Sequence, residues 1–241
     1  MHGRNVLNLI VFAMIAAGAI MGLRDYAARH PEAIPWAALD LSDPTGSFTG
    51  RKLTALTGEA SQCRILLKEA GVRFTPLPAR IQGQCGYRDG VRLLKGGPLP
   101  LRWEPSNLGV ACPVAAALFL WNRDVVQPAA ARHLRAAIVR IETLGSYSCR
   151  RIYGRPSGAW SEHATADAID IAGFSLAGGS HVRIRNDWSG GGRKAAFLRD
   201  VRDGACKLFA TVLSPDYNRA HANHLHLDQA ERGTMGWRAC R

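Results

Sequence analysis

The first part of the chain contains an apolar run of the length that a membrane-spanning helix needs. Residues 6–23, VLNLIVFAMIAAGAIMGL, include no charged side chain, and about 18 such residues can cross a bilayer as a helix. An A-x-A-like site at residues 17–19 would suit signal-peptide cleavage, but the run continues beyond it, which favours an uncleaved anchor. We therefore expect residues 1–23 to form a signal anchor or, alternatively, a signal peptide.

All 6 cysteines follow this run, and none belongs to a C-x-x-C pair. This usage is typical of disulfides formed in an oxidising compartment, and it argues against a structural zinc finger. We therefore expect a protein anchored in the inner membrane through residues 6–23, with its domain in the periplasm. Sequential pairing would join neighbouring segments, so the expected disulfides are Cys63–Cys85, Cys112–Cys149 and Cys206–Cys240.

The remainder of the chain divides into a tether and one main domain. Residues 24–50 contain three prolines and show no sustained periodicity, so we predict a tether that carries the domain away from the membrane. The folded domain is then expected to span residues 51–241. A chain of 241 residues with 47% hydrophobic composition can bury one substantial core.

Hydrophobic periodicity predicts an α+β domain with an antiparallel sheet flanked by helices. Ser61 could cap a helix that Gly71 ends, and Asp89-Gly90 has the composition of a type I′ hairpin turn. Further helices are expected in CPVAAALFLWNRDVV, PAAARHLRAAIVRIETLG and FLRDVRDGACKLFATVL. Strands are expected in DAIDIAGF, HVRIRNDW and NHLHLDQ.

The strand NHLHLD predicts a polar face backed by leucines. Side chains alternate across a strand, so His224, His226 and Asp228 would share one face. Leu225 and Leu227 would point to the other face and supply the core. The polar face could be a metal site, a general base with its neighbours, or a solvated edge.

A second segment, SEHATADAIDIAGF, repeats this arrangement. Asp170 alternates with two isoleucines and would lie on the face opposite to them, and His163 could fold back through a loop to meet it. A catalytic zinc site needs three nitrogen or oxygen ligands at about 2 Å and an open position for water. Two histidines and one aspartate held by strands meet that requirement, so we predict a metal site carried by the sheet.

These motifs carry a family resemblance. The S-x-H-x6-D pattern followed by H-x-H resembles signatures of zinc peptidases that include D-Ala-D-Ala carboxypeptidases and dipeptidases, lysostaphin-type and murein endopeptidases, and the Hedgehog signalling domain. The segments GSYSCR, SEHATADAIDIAGF, FLRDVRDGACKLF and HANHLHLD together resemble more closely the bacterial extensin-like C-terminal domain family, over roughly residues 51–241.

The resemblance implies roles for five residues. His163, Asp170 and His226 would be the ligands of one Zn²⁺ ion. His224, the first histidine of H-x-H, would act near the metal on the transition state. His221 would be the general base, because murein endopeptidases have a histidine three residues before H-x-H.

Two further positions bear on the expected site. Arg150 could neutralise an oxyanion or a terminal carboxylate. Ala166 stands where the zinc peptidases commonly have glycine, so a positive φ at this position would strain the backbone or remodel the loop between the ligands.

The resemblance implies a periplasmic zinc-dependent amide hydrolase that acts on peptidoglycan peptides, either as an endopeptidase or as a carboxypeptidase. The alternatives are a non-catalytic zinc-binding or cell-wall-binding module and an anchored scaffold whose histidines bind nothing. The formal net charge of +12 comes from arginines scattered along the chain. We expect peptidoglycan or another anionic cell-wall polymer as the partner, and no nucleic acid.

Overall fold

The computed structural model of the protein describes residues 2–233 and 237–241. The helices are α1 His2–Arg29, α2 Thr49–Thr54, α3 Ala60–Glu69, α4 Cys112–Trp121, α5 Gln127–Leu134, α6 Ile184–Asp187 and α7 Arg193–Leu208. The strands are β1 Phe74–Pro76, β2 Arg80–Gln82, β3 Cys85–Tyr87, β4 Val91–Leu93, β5 Arg102–Glu104, β6 Ile138–Gly145, β7 Ala168–Leu176, β8 His181–Arg183, β9 Thr211–Leu213, β10 Leu225–Asp228 and β11 Ala239–Cys240.

The main sheet has the strand order β11-β9-β10-β7-β6-β5, and β8 also pairs with β7. Neighbouring strands in the central part, β9-β10-β7-β6, are antiparallel, whereas β5 runs parallel to β6 and β11 runs parallel to β9. The α+β prediction is confirmed, but the sheet is mixed rather than purely antiparallel. The reason is connection length, because α4 and α5 form a long crossover between β5 and β6, and such a crossover permits a parallel pair.

The hydrophobic core lies between this sheet and the helices α4 and α7. Phe174 of β7 sits between Trp121 of α4 and Phe197 of α7, with ring centroids 6.0 Å and 5.0 Å apart. The Trp121 indole also donates a hydrogen bond of 2.8 Å to the carbonyl of Val201. The alternating aliphatic residues of β7 and β10 are fully buried in the same core: Ile169, Ile171, Leu225 and Leu227.

The long helix predicted for PAAARHLRAAIVRIETLG is wrong in its second half. Helix α5 ends at Leu134, and Arg135 adopts a left-handed conformation with φ 54° that turns the chain. Ile138 and Ile141 then lie on β6, where both are buried. The β-branched residues of this stretch favour a strand between two sheet neighbours, and that tertiary environment outweighs their helical spacing.

The hairpin predicted at Asp89-Gly90 is also wrong. Strand β3 pairs with β2, and β4 pairs with β1, so no ladder joins β3 to β4. The Asp89 carboxylate accepts a hydrogen bond of 3.1 Å from the backbone N–H of Cys112, which joins this segment to the start of α4. In α3, Ser61 lies inside the helix and the N-cap is Glu59, whereas Gly71 ends the helix with φ +70°, as expected.

Two of the three predicted disulfides are wrong. The bonds are Cys63–Cys112, Cys85–Cys149 and Cys206–Cys240, and the last of these confirms the prediction. Cys63 lies on α3, which packs beside α4 where Cys112 begins, and the β2–β3 hairpin carries Cys85 to the loop of Cys149. The first four cysteines are therefore not paired with the cysteine next to them in the sequence.

The apolar run forms one helix with its flanking residues. An 18-residue window within Asn5–Arg29 has a mean hydropathy of 2.4, and this helix could anchor the protein in a membrane. The choice between anchor and signal peptide stays a prediction. In the segment that follows, Leu41 is buried, and the Arg123 guanidinium donates hydrogen bonds to the carbonyls of Leu41 and Asp43. The end of the predicted tether therefore lies against the domain.

Candidate metal centre

Two adjacent strands and one turn bring the candidate ligands together. The antiparallel register of β10 and β7 places His226 directly opposite Asp170. His163 comes from the 3₁₀ turn Glu162–Thr165, at whose start the Ser161 hydroxyl accepts a hydrogen bond from the His163 backbone N–H. This local cap fixes the position from which the imidazole of His163 reaches the sheet.

The three ligand atoms form a nearly equilateral triangle. The His163 Nε2 lies 3.2 Å from the Asp170 Oδ1 and 3.2 Å from the His226 Nδ1, and the His226 Nδ1 lies 3.1 Å from the Asp170 Oδ1. His163 is 3% exposed and His226 is 9% exposed, so water has little access to either ring. Side chains from two separate segments of the chain, one with His163 and Asp170 and the other with His226, thus converge on one point.

The outer nitrogen of each imidazole is held by an acceptor. The His163 Nδ1 lies 2.5 Å from the carbonyl oxygen of Ser146, and the His226 Nε2 lies 3.0 Å from the Asp228 Oδ2. Since a carbonyl and a carboxylate only accept, both outer nitrogens are donors. In a neutral ring the inner nitrogen is therefore the one that carries the lone pair, and it faces the other ring and the Asp170 oxygen.

The pKa values of this group show how strongly it attracts positive charge. Burial disfavours ionisation of Asp170, but the hydrogen bonds that His163 and His226 donate when their inner nitrogens are protonated outweigh that cost and hold the pKa of Asp170 well below the usual range. Burial likewise opposes the charged form of His226, yet the hydrogen bonds to Asp170 and Asp228 raise its pKa to about 9. In the metal-free protein, a proton on His226 therefore provides the positive charge that this group attracts.

Two more histidines and one arginine lie beside this triangle. The His224 Nε2 lies 3.5 Å from the Asp170 Oδ1, and the His221 ring centroid lies 5.1 Å from that of His224 and 6.0 Å from that of His226. Burial is the main cause that lowers the pKa of His224. Arg150 is exposed, and its positive charge contributes to the same shift. The structure thus brings the five predicted histidine and aspartate residues together, and the charge of Arg150 acts on His224.

His221 is held in one orientation by a neighbouring amide. Its Nδ1 lies 2.8 Å from the Asn218 Oδ1, an oxygen that also accepts the backbone N–H of Ala220. The amide oxygen accepts from Nδ1, which leaves the Nε2 of His221 with a free lone pair. Burial, followed by the nearby His224 and His226, lowers the pKa of His221 to about 4, so this ring is neutral at pH 7.

Asp228 and the Ser146 carbonyl are the site groups that sequence reasoning missed. Asp228 was expected on the same face as His226. Their H-x-D spacing on a strand could have indicated that the Asp228 carboxylate binds the His226 imidazole. It is 2% exposed, and its Oδ1 accepts the backbone N–H of Ala230 while its Oδ2 faces His226. The carbonyl of Ser146 had no signal in the sequence, because a backbone atom's direction depends on the fold.

We expect Asp228→Asn to weaken zinc binding by about 10- to 100-fold, because partners of this kind orient the ligand and raise its basicity. The measurement is a competition titration against a zinc chelator. Asp203→Asn, which alters a mostly exposed carboxylate on α7, is the matched control and should bind zinc as the wild type does. An Asp228→Asn variant with unchanged affinity would show that His226 needs no such partner.

Ala166 occupies the strained position that the sequence indicated. Its φ is 60° and its ψ is 14°, in the left-handed region, and the loop keeps this conformation without a glycine. Its carbonyl accepts hydrogen bonds from the Ala111 N–H and the Ser146 hydroxyl, which hold the residue in place. The alanine therefore carries a conformational cost next to His163 and Asp170.

We expect Ala166→Gly to stabilise the protein by up to about 1 kcal/mol, since relief of the left-handed strain exceeds the added freedom of the unfolded chain. Chemical denaturation of both variants measures the difference. Ala130→Gly in the middle of α5 is the control, and it should be destabilising because that residue is buried in a helix with ordinary geometry. A loss of stability in Ala166→Gly would refute the assignment of strain.

The donor set fits a zinc ion. Tetrahedral zinc with bonds of about 2.0–2.1 Å separates its ligand atoms by about 3.3 Å, close to the 3.1–3.2 Å found here. Two imidazoles and one carboxylate are among the ligands that zinc prefers, and both rings have the second hydrogen bond that such ligands usually make. Within residues 2–233 and 237–241, these three residues are the group whose side chains could hold a metal ion.

Comparison with known proteins identifies the family of the domain. The family model described as "Extensin-like protein C-terminus" matches residues 61–241, which is most of the chain. No curated protein and no solved structure matches the chain. The match includes the turn of His163 and the strands of Asp170 and His226. The chain therefore belongs to the extensin-like C-terminal family.

Proposed function

We propose that this protein is a zinc-dependent amide hydrolase that acts on peptidoglycan peptides in the periplasm. The observation that carries the proposal is the convergence of three lone pairs from His163, Asp170 and His226, with spacing suited to zinc, beside a neutral histidine. The zinc peptidases that the motifs resemble supply the substrate class. The choice between endopeptidase and carboxypeptidase depends on the substrate and is part of the test.

One Zn²⁺ ion would be held by the Nε2 of His163, one carboxylate oxygen of Asp170 and the Nδ1 of His226. Zinc, when bound, acts as a Lewis acid that activates water and polarises a carbonyl group. Three protein ligands leave a position for substrate or water, as catalytic rather than structural zinc sites do. The Ser146 carbonyl and Asp228 keep both imidazoles in the required orientation.

His221 is suited to accept a proton in this arrangement. Its Nε2 has a free lone pair because Asn218 binds the other nitrogen, and its lowered pKa keeps the ring neutral at pH 7. It is 9% exposed and lies next to His224 and His226. A neutral base near the reacting atoms is what general-base catalysis needs.

His224 and Arg150 would stabilise negative charge on the substrate, His224 in its protonated form. The Nδ1 of His224 lies 2.9 Å from the Asn223 Oδ1, so this nitrogen donates, and the Nε2, which lies 3.5 Å from the Asp170 Oδ1, donates only when the ring carries a second proton. Arg150 is exposed, its positive charge acts on His224, and it could pair with an oxyanion or a terminal carboxylate. The net charge of +12 would favour an anionic polymer at this surface.

The amide-hydrolase proposal is tested with isolated peptidoglycan and the full chain loaded with zinc. We expect release of peptides, detected by mass spectrometry, and a fall in rate of about 100-fold or more in His221→Ala with the zinc content unchanged. His133→Ala, which removes a histidine that contacts Asp200 instead, is the matched control and should keep the wild-type rate. Equal rates in wild type and His221→Ala would exclude His221 as the base.

One observation favours a second function, that of a non-catalytic zinc-binding or cell-wall-binding module. A pKa of about 4 makes His221 a weak proton acceptor, and a binding module needs no base at all. This alternative predicts stoichiometric zinc in the purified protein without release of peptides from peptidoglycan. Absence of stoichiometric zinc would contradict both functions.

A further inference from the structure

A cavity of about 660 Å³ is separate from the candidate metal centre. It is bordered by the β2–β3 hairpin, the residues before α3 and the outer side of the Glu162–Thr165 turn. The candidate ligands His163, Asp170 and His226 do not line it. The turn thus presents His163 on one side and a wall of this second space on the other.

Four carboxylic acids line the cavity: Asp89, Glu162, Asp167 and Glu231. We call this space the acidic cavity. None of the four makes an ion pair with any residue that the structure describes. The positive charges of Arg64 and Arg232 act on Asp89 and Glu162 without forming ion pairs with them, and in a chain with 31 basic and 19 acidic residues the four acids still make this lining locally acidic. Such a lining attracts cations.

Asp167 is the most buried of these acids. Its side chain is on a residue only 6% exposed, and its Oδ1 makes no hydrogen bond with the described residues. A buried carboxylate without a hydrogen bond is costly, so native proteins usually satisfy such a group with an ion, a ligand or water. Burial, followed by the negative charges of Glu162 and Asp228, raises the pKa of Asp167 well above its usual value. A cation in the cavity would stabilise the buried carboxylate of Asp167 and lower its pKa.

The two arginines at the cavity do not neutralise it. Arg80 and Arg88 are exposed, and the guanidinium of Arg80 lies over the ring of Tyr147 at 4.5 Å. Neither approaches the four acids within ion-pairing distance in the described part of the chain. The interior of the cavity therefore remains available to an outside cation.

The dimensions of the acidic cavity favour an organic cation over a metal ion. Ca²⁺ needs several oxygen ligands at about 2.3–2.6 Å, so its ligands must lie close together. Among the described residues, the acids of this cavity do not form such a close group, whereas His163, Asp170 and His226 do. A volume of about 660 Å³ is that of a small-molecule site.

We propose that the acidic cavity binds a primary ammonium group carried by a peptide or amine ligand, and that the carboxylate of Asp167 is the main contact for that group. The ammonium group has three N–H donors, which several carboxylates can share. It can come from the amino terminus of a peptide or from a lysine-type side chain. The inference does not depend on zinc or on hydrolysis, because the cavity shares no lining residue with the three candidate ligands.

The test uses the full chain and four probes in thermal-shift and calorimetric titrations. Nα-acetyl-lysine amide offers a side-chain ammonium group, alaninamide offers an α-ammonium group, Nα-acetyl-alanine amide is neutral, and calcium chloride offers a metal ion. We expect at least one ammonium probe to bind and to raise the melting temperature, and the neutral probe to do neither. The ammonium probe that binds more tightly identifies the source of the group.

Asp167→Asn should weaken binding of the ammonium probe by about tenfold or more, because it removes a charge-assisted hydrogen bond. Asp203→Asn removes the same charge from the surface of α7 and should bind as the wild type does. If Asp167→Asn does not fold, Glu231→Gln at the exposed rim should weaken binding about threefold. Equal binding of the neutral probe, calcium binding without ammonium binding, or wild-type affinity in these variants would overturn the proposal.

Discussion

Replacement of Asp170 by alanine is expected to abolish stoichiometric zinc binding and, with it, any zinc-dependent hydrolysis. The variant loses a ligand atom and also the negative charge that attracts a cation between His163 and His226. Loss of a supporting partner costs about 10- to 100-fold in metal affinity, and loss of a ligand from a three-residue set should cost at least about 1,000-fold. Metal analysis after dialysis and chelator competition measure both quantities.

The control for Asp170→Ala is Asp203→Ala, which removes a carboxylate outside the site. It should retain zinc at the wild-type ratio. Because β7 is an interior strand, circular dichroism and the melting temperature of metal-free Asp170→Ala must show that the fold is intact. A folded Asp170→Ala variant that retains one zinc per chain would refute the ligand set proposed here.

Removal of the Cys85–Cys149 disulfide is expected to destabilise the domain by about 4 kcal/mol, which corresponds to roughly a thousandfold change in the unfolding equilibrium. The bond closes a loop of 64 residues, so its loss increases the freedom of the unfolded chain. It also joins the hairpin at the acidic cavity to the loop that follows Ser146, whose carbonyl holds His163. The double variant Cys85→Ala/Cys149→Ala should therefore bind zinc more weakly as well.

The matched control is Cys63→Ala/Cys112→Ala, which opens a loop of 49 residues between α3 and α4. The loss of stability should be similar, because loop entropy depends only weakly on length. Zinc affinity of the folded control should stay at the wild-type value, since neither cysteine is next to a ligand or its partner. Equal zinc affinities in the two double variants would show that Cys85–Cys149 does not support the site.

The part of the fold that carries the candidate site could be predicted because its signals are local. In β7 and β10, strict alternation of aliphatic and polar residues identified both strands and the faces of Asp170 and His226. The structure adds the register that places these two residues opposite each other. It also shows that the polar face is enclosed rather than solvated, because His224 and His226 are each only 9% exposed.

The failed predictions share a different cause, which is competition from distant parts of the chain. Ile138, Ile141 and Leu144 have helical spacing, but β5 and β7 flank this stretch and the sheet determines its conformation. Asp89-Gly90 has hairpin composition, but the Asp89 carboxylate binds the backbone of Cys112 instead. Local periodicity carries no information about such partners, so neither outcome was accessible from the sequence.

Two of the disulfides overlap along the chain, and this order has a consequence for maturation. A chain that emerges amino terminus first exposes Cys63 and then Cys85, well before Cys112 and Cys149. An oxidant that acts on thiols as they appear would join the first two, although neither is the other's native partner. The native bonds then require thiol–disulfide exchange after Cys149 has emerged. Production of this protein should accordingly depend on a disulfide isomerase more than on the strength of the oxidant.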